Sequence, residues 1–319
     1  MNAVDFKIVD GYSSSIIQDL EDCDALMWHH HHGNYKDLII AKQLIFAVEK
    51  GGKIVFPNID TSYHFDDKLS QKYLFEALGI PCIRTSVFFD FNTAKKSIQR
   101  VVFPVVFKLR SGAGGASVQL LRNESETKGK LKKSFSSGFV ALNRTGNLRD
   151  RYGKYLSGNG TIMDVVKALV RLVVPVKDIH LFPKEKGYFM LQEFLDSNES
   201  DTRVVVIENK AFAIKRLVRK NDFRASGSGM ILYGKNEIDL RCIKLAMDSS
   251  RKLNAQCLAY DFIHDEHNEP KIVEVSFGFS YQSYRNCPGY WDSNLSWIEG
   301  EFDPCQWMIE GVIDKIKES

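Results

Sequence analysis

The chain reads as an α/β protein built in several lobes, and three observations carry that reading. Its 319 residues exceed what one hydrophobic core comfortably organises. Strand-like and helix-like runs alternate over residues 1–60, the pattern of parallel strands joined by crossover helices. Two later stretches, DTRVVVIENKAFAIKRLV and LAYDFIHDEHNEPKIVEVSF, each read as apolar strands around a polar turn.

Composition removes several function classes. An apolar content of 44% supports packed cores and argues against disorder. The net charge of +3 is too mild and too evenly spread to call for a nucleic-acid partner or an anionic membrane surface. The six cysteines form no CxxC pair, so a disulfide framework or a thiolate zinc site is not expected. No basic segment leads into an apolar core at the N-terminus. The most apolar run, VVKALVRLVVPV, is interrupted by Lys167, Arg171 and Pro175 and is unsuited to crossing a bilayer. A cytoplasmic protein without membrane insertion is the expectation.

In chain order, FKIVD reads as a strand, SIIQDL as a helix and ALMW as a strand. YKDLIIAKQLIFAVEK reads as a helix stopped by Gly51 and Gly52, and KIVF as the next strand. Together they predict a small open sheet with parallel strands. His29 to His32 fall between a strand and a helix. Neighbouring residues point in different directions, so four in a row do not converge on one ion. A solvated loop is the plainer reading and substrate contact the other.

DDKLSQKYLFEALG predicts a short helix with Asp66 as N-cap, Leu69, Tyr73 and Ala77 along one face, and a stop at Gly79 and Pro81. Lys68 lies in its first turn, against the helix dipole, a placement that function can impose. VVFPVVFKLR and SVQLL then read as strands joined by SGAGGA, with Lys108 interrupting an apolar run. Gly112, Gly114 and Gly115 would let backbone N–H groups close over phosphates, although a plain hairpin uses such a loop as readily. The loop is neither a Walker A sequence nor a dinucleotide fingerprint, since no GK[ST] and no helix follow. From Asn123 to about Gly187 the chain is basic, with TIMDVVKALVRLV as a helix.

YFMLQEFL predicts a strand running into a linker, with Glu193 buried-looking among apolar neighbours. Such a junction can form a nucleobase slot, or it is an edge strand with its glutamate in water. In the hairpin that follows, counting outward from Asn209 and Lys210 sets Arg203 opposite Arg216, a repulsion that a phosphate or carboxylate would relieve. A register shifted by one would instead send the two to solvent. NDFRASGSG, led by Arg224, is a small-residue loop able to close over a substrate, or simply a surface loop. In the last hairpin Asp261 falls opposite Glu274, with Ser276 on the same face as Glu274. Carboxylates on apolar strands are costly unless a cation neutralises them, and hard oxygens select magnesium or manganese over zinc. His264 and His267 lie in the turn and are expected to be solvated.

From FDDKL to VEVSF, about two-thirds of the chain, these residues resemble the ATP-grasp superfamily, nearest its amino-acid and glutamate ligases. The resemblance implies an ATP-grasp fold behind an N-terminal open α/β domain, divided as 1–92, 93–192 and 193–319. Lys68 and Lys108 match nucleotide-binding lysines, and Gly114 and Gly115 match the flap over the phosphates. Gln192, Glu193, Phe194 and Leu195 match the adenine hinge. Arg203, Arg216 and Arg224 match the arginines of the reaction centre. Asp261, Glu274 and Ser276 match the magnesium ligands, with EVS where the family usually has EVN, which bears on whether a second ion binds. The implied activity is ATP- and Mg2+-dependent joining of a small-molecule carboxylate and an amine (amino acid, sugar acid or amino sugar), releasing ADP and phosphate; manganese could replace magnesium. A homodimer is compatible with it. A small-molecule kinase and a non-catalytic ATP-binding module remain the alternatives. The aromatic tail GYWDSNLSWIEGEFDPCQWM resembles tails on ATP-grasp proteins of bacterial surface-polysaccharide loci.

Overall fold

A computed structural model of the chain describes residues 4–112, 117–140, 148, 151–152, 155, 161–173, 181–196, 198–218, 223–225 and 229–318. The N-terminal unit is a parallel pair, β1 (Ala25–Met27) and β2 (Ile54–Phe56), registered Ala25 to Ile54 and Met27 to Phe56. They are joined by helix Tyr35–Lys50, capped by the Asn34 side chain, which accepts from Lys36 N. Leu44, Ile45 and Val48 of that helix pack on Leu26 and Val55, as apolar periodicity requires. The run FKIVD is not a strand. Phe6 and Ile8 are 86% and 92% exposed, and Lys7 ion-pairs with Asp22 instead of joining a ladder.

Helix Lys68–Ala77 is capped by Asp67, not Asp66: the Asp67 carboxylate accepts from Leu69 N and Ser70 N. Asp66 stands outside the helix at φ +50°. The inward face is Lys68, Gln71 and Phe75, while Tyr73 is exposed, so the expected Leu69–Tyr73–Ala77 stripe does not face the core. Tertiary contact decides this. Gln71 donates to Val275 O at 2.9 Å and to His64 O at 3.0 Å, and accepts from Val275 N at 3.2 Å.

The central sheet takes its edge strand, β3 (Thr85–Phe88), from before residue 93. It continues with β4 (Val105–Lys108) and β5 (Val118–Leu121). Two short strands, β6 (Phe139–Val140) and β7 (Lys184–Glu185), pair separately, and β8 (Phe189–Glu193) completes the sheet in the order β3–β8–β4–β5, all antiparallel. Helices Phe91–Ile98 and Glu124–Ser134 cover it through Ala94, Ile98 and Leu131. Because β8 lies inside the sheet, the edge-strand reading fails. Glu193 is nonetheless exposed, where burial among apolar neighbours is what the sequence suggests.

The larger sheet comprises β9 (Ser200–Ile207), β10 (Lys210–Leu217), β11 (Ile231–Leu232), β12 (Cys257–His264), β13 (Pro270–Ser276), β14 (Gly289–Trp291) and β15 (Trp297–Glu299). It is ordered β13–β12–β9–β10–β14–β15, with β11 also on β10. Helix Leu240–Lys252 covers one face, packing Cys242, Ile243 and Ala246 on Val204, Val206, Tyr260 and Phe262. The aromatic tail and helix Pro304–Glu318 cover the other, with Tyr284, Phe302 and Trp307 around Phe212. The β9–β10 turn is Glu208–Asn209, with Glu208 at φ +48°, so Ile207 pairs with Lys210. Arg203 therefore faces Ile214 and Arg216 faces Asp201: the two arginines are diagonal neighbours on one face, not opposite each other. Among the described residues no helix is long and apolar enough to cross a membrane.

Gln71→Ala strands the N–H and carbonyl of Val275 inside the protein. An unpaired buried group costs about 1–3 kcal/mol, so urea denaturation is expected to show a loss of about 2–4 kcal/mol at unchanged m-value.

Candidate active site

A cleft beside the start of the Lys68 helix is lined by Lys68, Gln71, Phe75, Lys108, Met190 and Gln192. Lys108, at the end of β4, is 4% exposed, and burial pushes its ammonium down to about 8 despite the opposing pull of Glu274. Lys68 Nζ donates to Gly112 O at 3.0 Å and lies 3.7 Å from Glu274 Oε2.

From the larger sheet, Asp261 on β12 faces Glu274 on β13 and Arg203 on β9 in direct register. Burial alone would raise the Glu274 carboxyl, but Lys68, Lys108, Arg203 and Arg216 outweigh it and hold the group below the usual range. Arg216 forms a fork on Asp201, with both N···O distances 2.6 Å, and its Nη2 also lies 2.9 Å from Asp261 Oδ1. Arg203 Nη1 is 3.4 Å from the same carboxylate. Burial lifts the Asp201 carboxyl to about 6, against the stabilising bonds from Arg216.

Arg203 Nε is buried without a hydrogen-bond partner, and buried Asp261 Oδ1 has only its charge contacts with Arg216 Nη2 and Arg203 Nη1, with no well-directed hydrogen bond. Two carboxylates facing each other across the ladder are an incomplete set of hard oxygen ligands, and they fit Mg2+. Ser276 lies on this strand, but its hydroxyl donates to Gly278 O at 2.9 Å and accepts from Gly278 N at 3.2 Å, so the local turn engages it.

At the hinge, Gln192 points to β3 and donates to Thr85 Oγ1 at 3.1 Å. Phe194 meets Phe223 edge-on at 5.8 Å, and the Arg224 guanidinium lies 5.9 Å from the Phe223 ring centre. Leu195 O accepts from Asn198 Nδ2 at 3.4 Å, and Asn198 exchanges two 2.8 Å bonds with the His264 backbone, tying the hinge to β12. Thus Lys68, Lys108, Arg203, Arg216, Asp261 and Glu274 come together, Arg224 joins the hinge, and Gly114 and Gly115 lie outside the described residues. Sequence reasoning passed over Asp201, although period-two alternation places it on the face of Arg203 two residues on.

The histidine run is not wholly solvated. His29 and His31 are exposed, but His30 is 4% exposed and packs at 5.3 Å from Phe65 and 4.7 Å from Phe277. His64 is fully buried with both ring nitrogens unpaired, and burial lowers His30 and His64 to about 4. His264 also departs from expectation: it is half-buried and 3.1 Å from Asp239. Asp239, Cys242 and His264 bring ligand atoms within 4.8 Å of one another, but Arg241 saturates Asp239 through its backbone N, Nε and Nη2.

No protein-family profile matches the chain. Over 106 residues it is 26% identical to the 2-oxoglutarate carboxylase small subunit of Hydrogenobacter thermophilus, a stretch covering 33% of this chain and only 22% of that protein. By structure it is similar to D-alanine–D-alanine ligase from Bacillus anthracis, with TM-score 0.56 and 13% identity over 95% of this chain and 84% of that one. It is also similar to the biotin carboxylase domain of the H. thermophilus 2-oxoglutarate carboxylase (0.53, 15%, 91% and 53%) and to the ATP-grasp ligase PsnB (0.50, 13%, 92% and 79%). At these identities the likeness is one of fold, and the fold is that of ATP-grasp proteins.

Asp201→Ala leaves Arg216 without its fork. Asp261 still lies 2.9 Å from Nη2, so the guanidinium is not left unpaired, and the lost hydrogen bonds are expected to cost about 1–3 kcal/mol, which chemical denaturation will read as a lowered midpoint. For the two histidines, the unfolded rings bind protons near 6.5 and the folded ones only near 4. The unfolded state therefore holds more protons between those values, and stability falls as pH drops through that window, by roughly 3 kcal/mol per ring. Urea midpoints at pH 7 and pH 4.5 measure this, and His64→Leu is expected to flatten the slope.

Proposed function

We propose that this chain is an ATP-dependent carboxylate–amine ligase. The observation that carries the reading is the facing pair Asp261 and Glu274, on adjacent strands and surrounded by Lys68, Lys108, Arg203 and Arg216. A phosphate-rich nucleotide with a divalent cation supplies the charges that balance this array.

In this reading Gln192, Glu193, Phe194 and Leu195 receive the adenine, and Lys68 and Lys108 carry positive charge to the phosphates. Asp261 and Glu274 hold magnesium; with Ser276 turned to Gly278, those two carboxylates are the ligand set the fold offers. The bound ion would act as a Lewis acid on phosphoryl oxygens. The guanidiniums of Arg203 and Arg216 stabilise charge spread over the transferring phosphoryl group. The substrate carboxylate attacks the γ-phosphorus, the bond to the bridging oxygen breaks, and ADP leaves. A neutral amine then attacks the acyl phosphate carbonyl, phosphate departs, the nitrogen loses a proton, and an amide remains. Arg224, beside the hinge, is assigned to the acceptor side. A cytoplasmic homodimer belongs to the same reading. The finer assignment, an amino acid joined to a sugar acid or amino sugar in surface-polysaccharide assembly, rests on the sequence of the tail alone.

The test supplies purified protein with ATP, Mg2+ and pools of amino acids and sugar acids, and resolves ADP from AMP. ADP is expected only when carboxylate and amine are both present, and Asp261→Ala or Glu274→Ala is expected to lower turnover at least 100-fold while the protein stays folded. AMP as product sinks the acyl-phosphate route, and a stable phosphorylated product formed without amine replaces it with a kinase.

A further inference from the structure

We propose that Asp66 and Glu185 are positioning residues for the nucleotide site, resting on the reading of Lys68 as a phosphate ligand. They grip the three-residue base of the glycine loop, Arg110 to Gly112, from two sides and hold it in register with Lys68.

The first grip comes from the residues ahead of helix Lys68–Ala77. Asp66 adopts φ +50°, a conformation that costs a non-glycine residue free energy, and in it both carboxylate oxygens lie 3.0 Å from Gly112 N. Lys68 N donates to Arg110 O at 3.0 Å. With its N–H held by Asp66, the Gly112 carbonyl is set to accept from Lys68 Nζ at 3.0 Å and from Ser117 Oγ at 2.9 Å. Asp67 adds an ion pair to Arg110 Nη1 at 3.4 Å while it caps the helix.

The second grip comes from the central lobe. Glu185 is 4% exposed, accepts from Ser111 Oγ at 2.5 Å and from Tyr188 Oη at 2.7 Å, and lies 3.6 Å from Arg110 Nε. Tyr188 Oη in turn accepts from Arg110 N at 2.6 Å. The N–H and C=O of both Arg110 and Gly112 are thus taken by groups outside the loop. A buried carboxylate is expensive in a sheet lobe whose core is otherwise Ala94, Ile98, Phe107 and Phe189. Its fully engaged oxygens place the charge of Glu185 at the service of this segment.

The consequence concerns Lys68. Its ammonium lies between the Gly112 carbonyl and Glu274, so it spans the loop base and the metal-facing strand. Releasing the base lets that ammonium follow Gly112 or collapse onto Glu274, and either loses the alignment that a phosphate needs.

The experiment measures Mg2+-dependent binding of the non-hydrolysable analogue AMPPNP by calorimetry, with the melting temperature of each variant. D66A and E185A are expected to bind about ten-fold more weakly than wild type, and D66N, which keeps an oxygen for Gly112 N, within about three-fold. A purely structural role predicts lower melting temperatures with dissociation constants unchanged, and that result overturns the assignment, as does a D66N loss equal to that of D66A. If an alanine variant does not fold, Y188F decides: it removes one oxygen between Arg110 and Glu185, and affinity equal to wild type refutes the second grip. Wild-type protein that binds no Mg2+·AMPPNP would overturn the nucleotide reading itself, a failure distinct from that of the two positioning residues.

Discussion

Two carboxylates facing each other across the outermost ladder of a sheet, Asp261 and Glu274, impose a condition that the surrounding structure satisfies. Like charges at that spacing repel, and the apolar strands beneath them offer no relief. Relief comes from cations on four separate segments: Lys68 at a helix start, Lys108 at the end of β4, Arg203 on β9 and Arg216 on β10. Each cation is itself fixed by a second partner or by burial, as with the Asp201 fork on Arg216 and the Gly112 carbonyl on Lys68. The site is a balanced lattice of charge, in which the buried Arg203 Nε keeps an unused donor.

Balance of this kind depends on holding the elements of the site in place, and buried polar connections contribute to it. Gln71 stitches the Lys68 helix to β13 through the Val275 backbone. Asn198 performs the same service between the hinge and β12. The helix that carries Lys68 packs Phe75 into the apolar cluster of Ile272, Val275 and Phe277, and turns Lys68 and Gln71 inward beside it toward Glu274 and the Val275 backbone. Local helix amphipathicity is overridden by those contacts.

The histidine run and the tail show residues that look functional serving packing. Burial disfavours the imidazolium of His30, which packs beside Phe65 and Phe277, and likewise that of the fully buried His64. The tryptophans of the tail are shared between the two faces of the large sheet: Trp291 and Trp297 join the cluster under helix Leu240–Lys252, while Trp307 stacks on Phe302 at 5.0 Å and borders Phe212 on the other face. On that second face the aromatic side chains and helix Pro304–Glu318 bury a large apolar area against β9, β10 and β12.

Asp261 faces Glu274 as the count from the turn has it, but through a bulge between Asp261 and Phe262 that shifts a ladder leaving the turn as His264 to Pro270. Alternation of apolar runs and period-two patterning were enough to locate the parallel pair and both hairpins. Those features depend on residues close in sequence, where turn position and strand parity settle the outcome. The β9–β10 register escaped because it turns on which residue takes the left-handed conformation, and Glu208 does so in place of the Asn209–Lys210 centre. The fork of Asp201 on Arg216, the stitch from Gln71 to Val275 and the burial of His64 were decided by tertiary structure alone. Each joins or encloses segments whose approach is governed by packing of whole elements, and no periodicity along one segment records what another will bring against it.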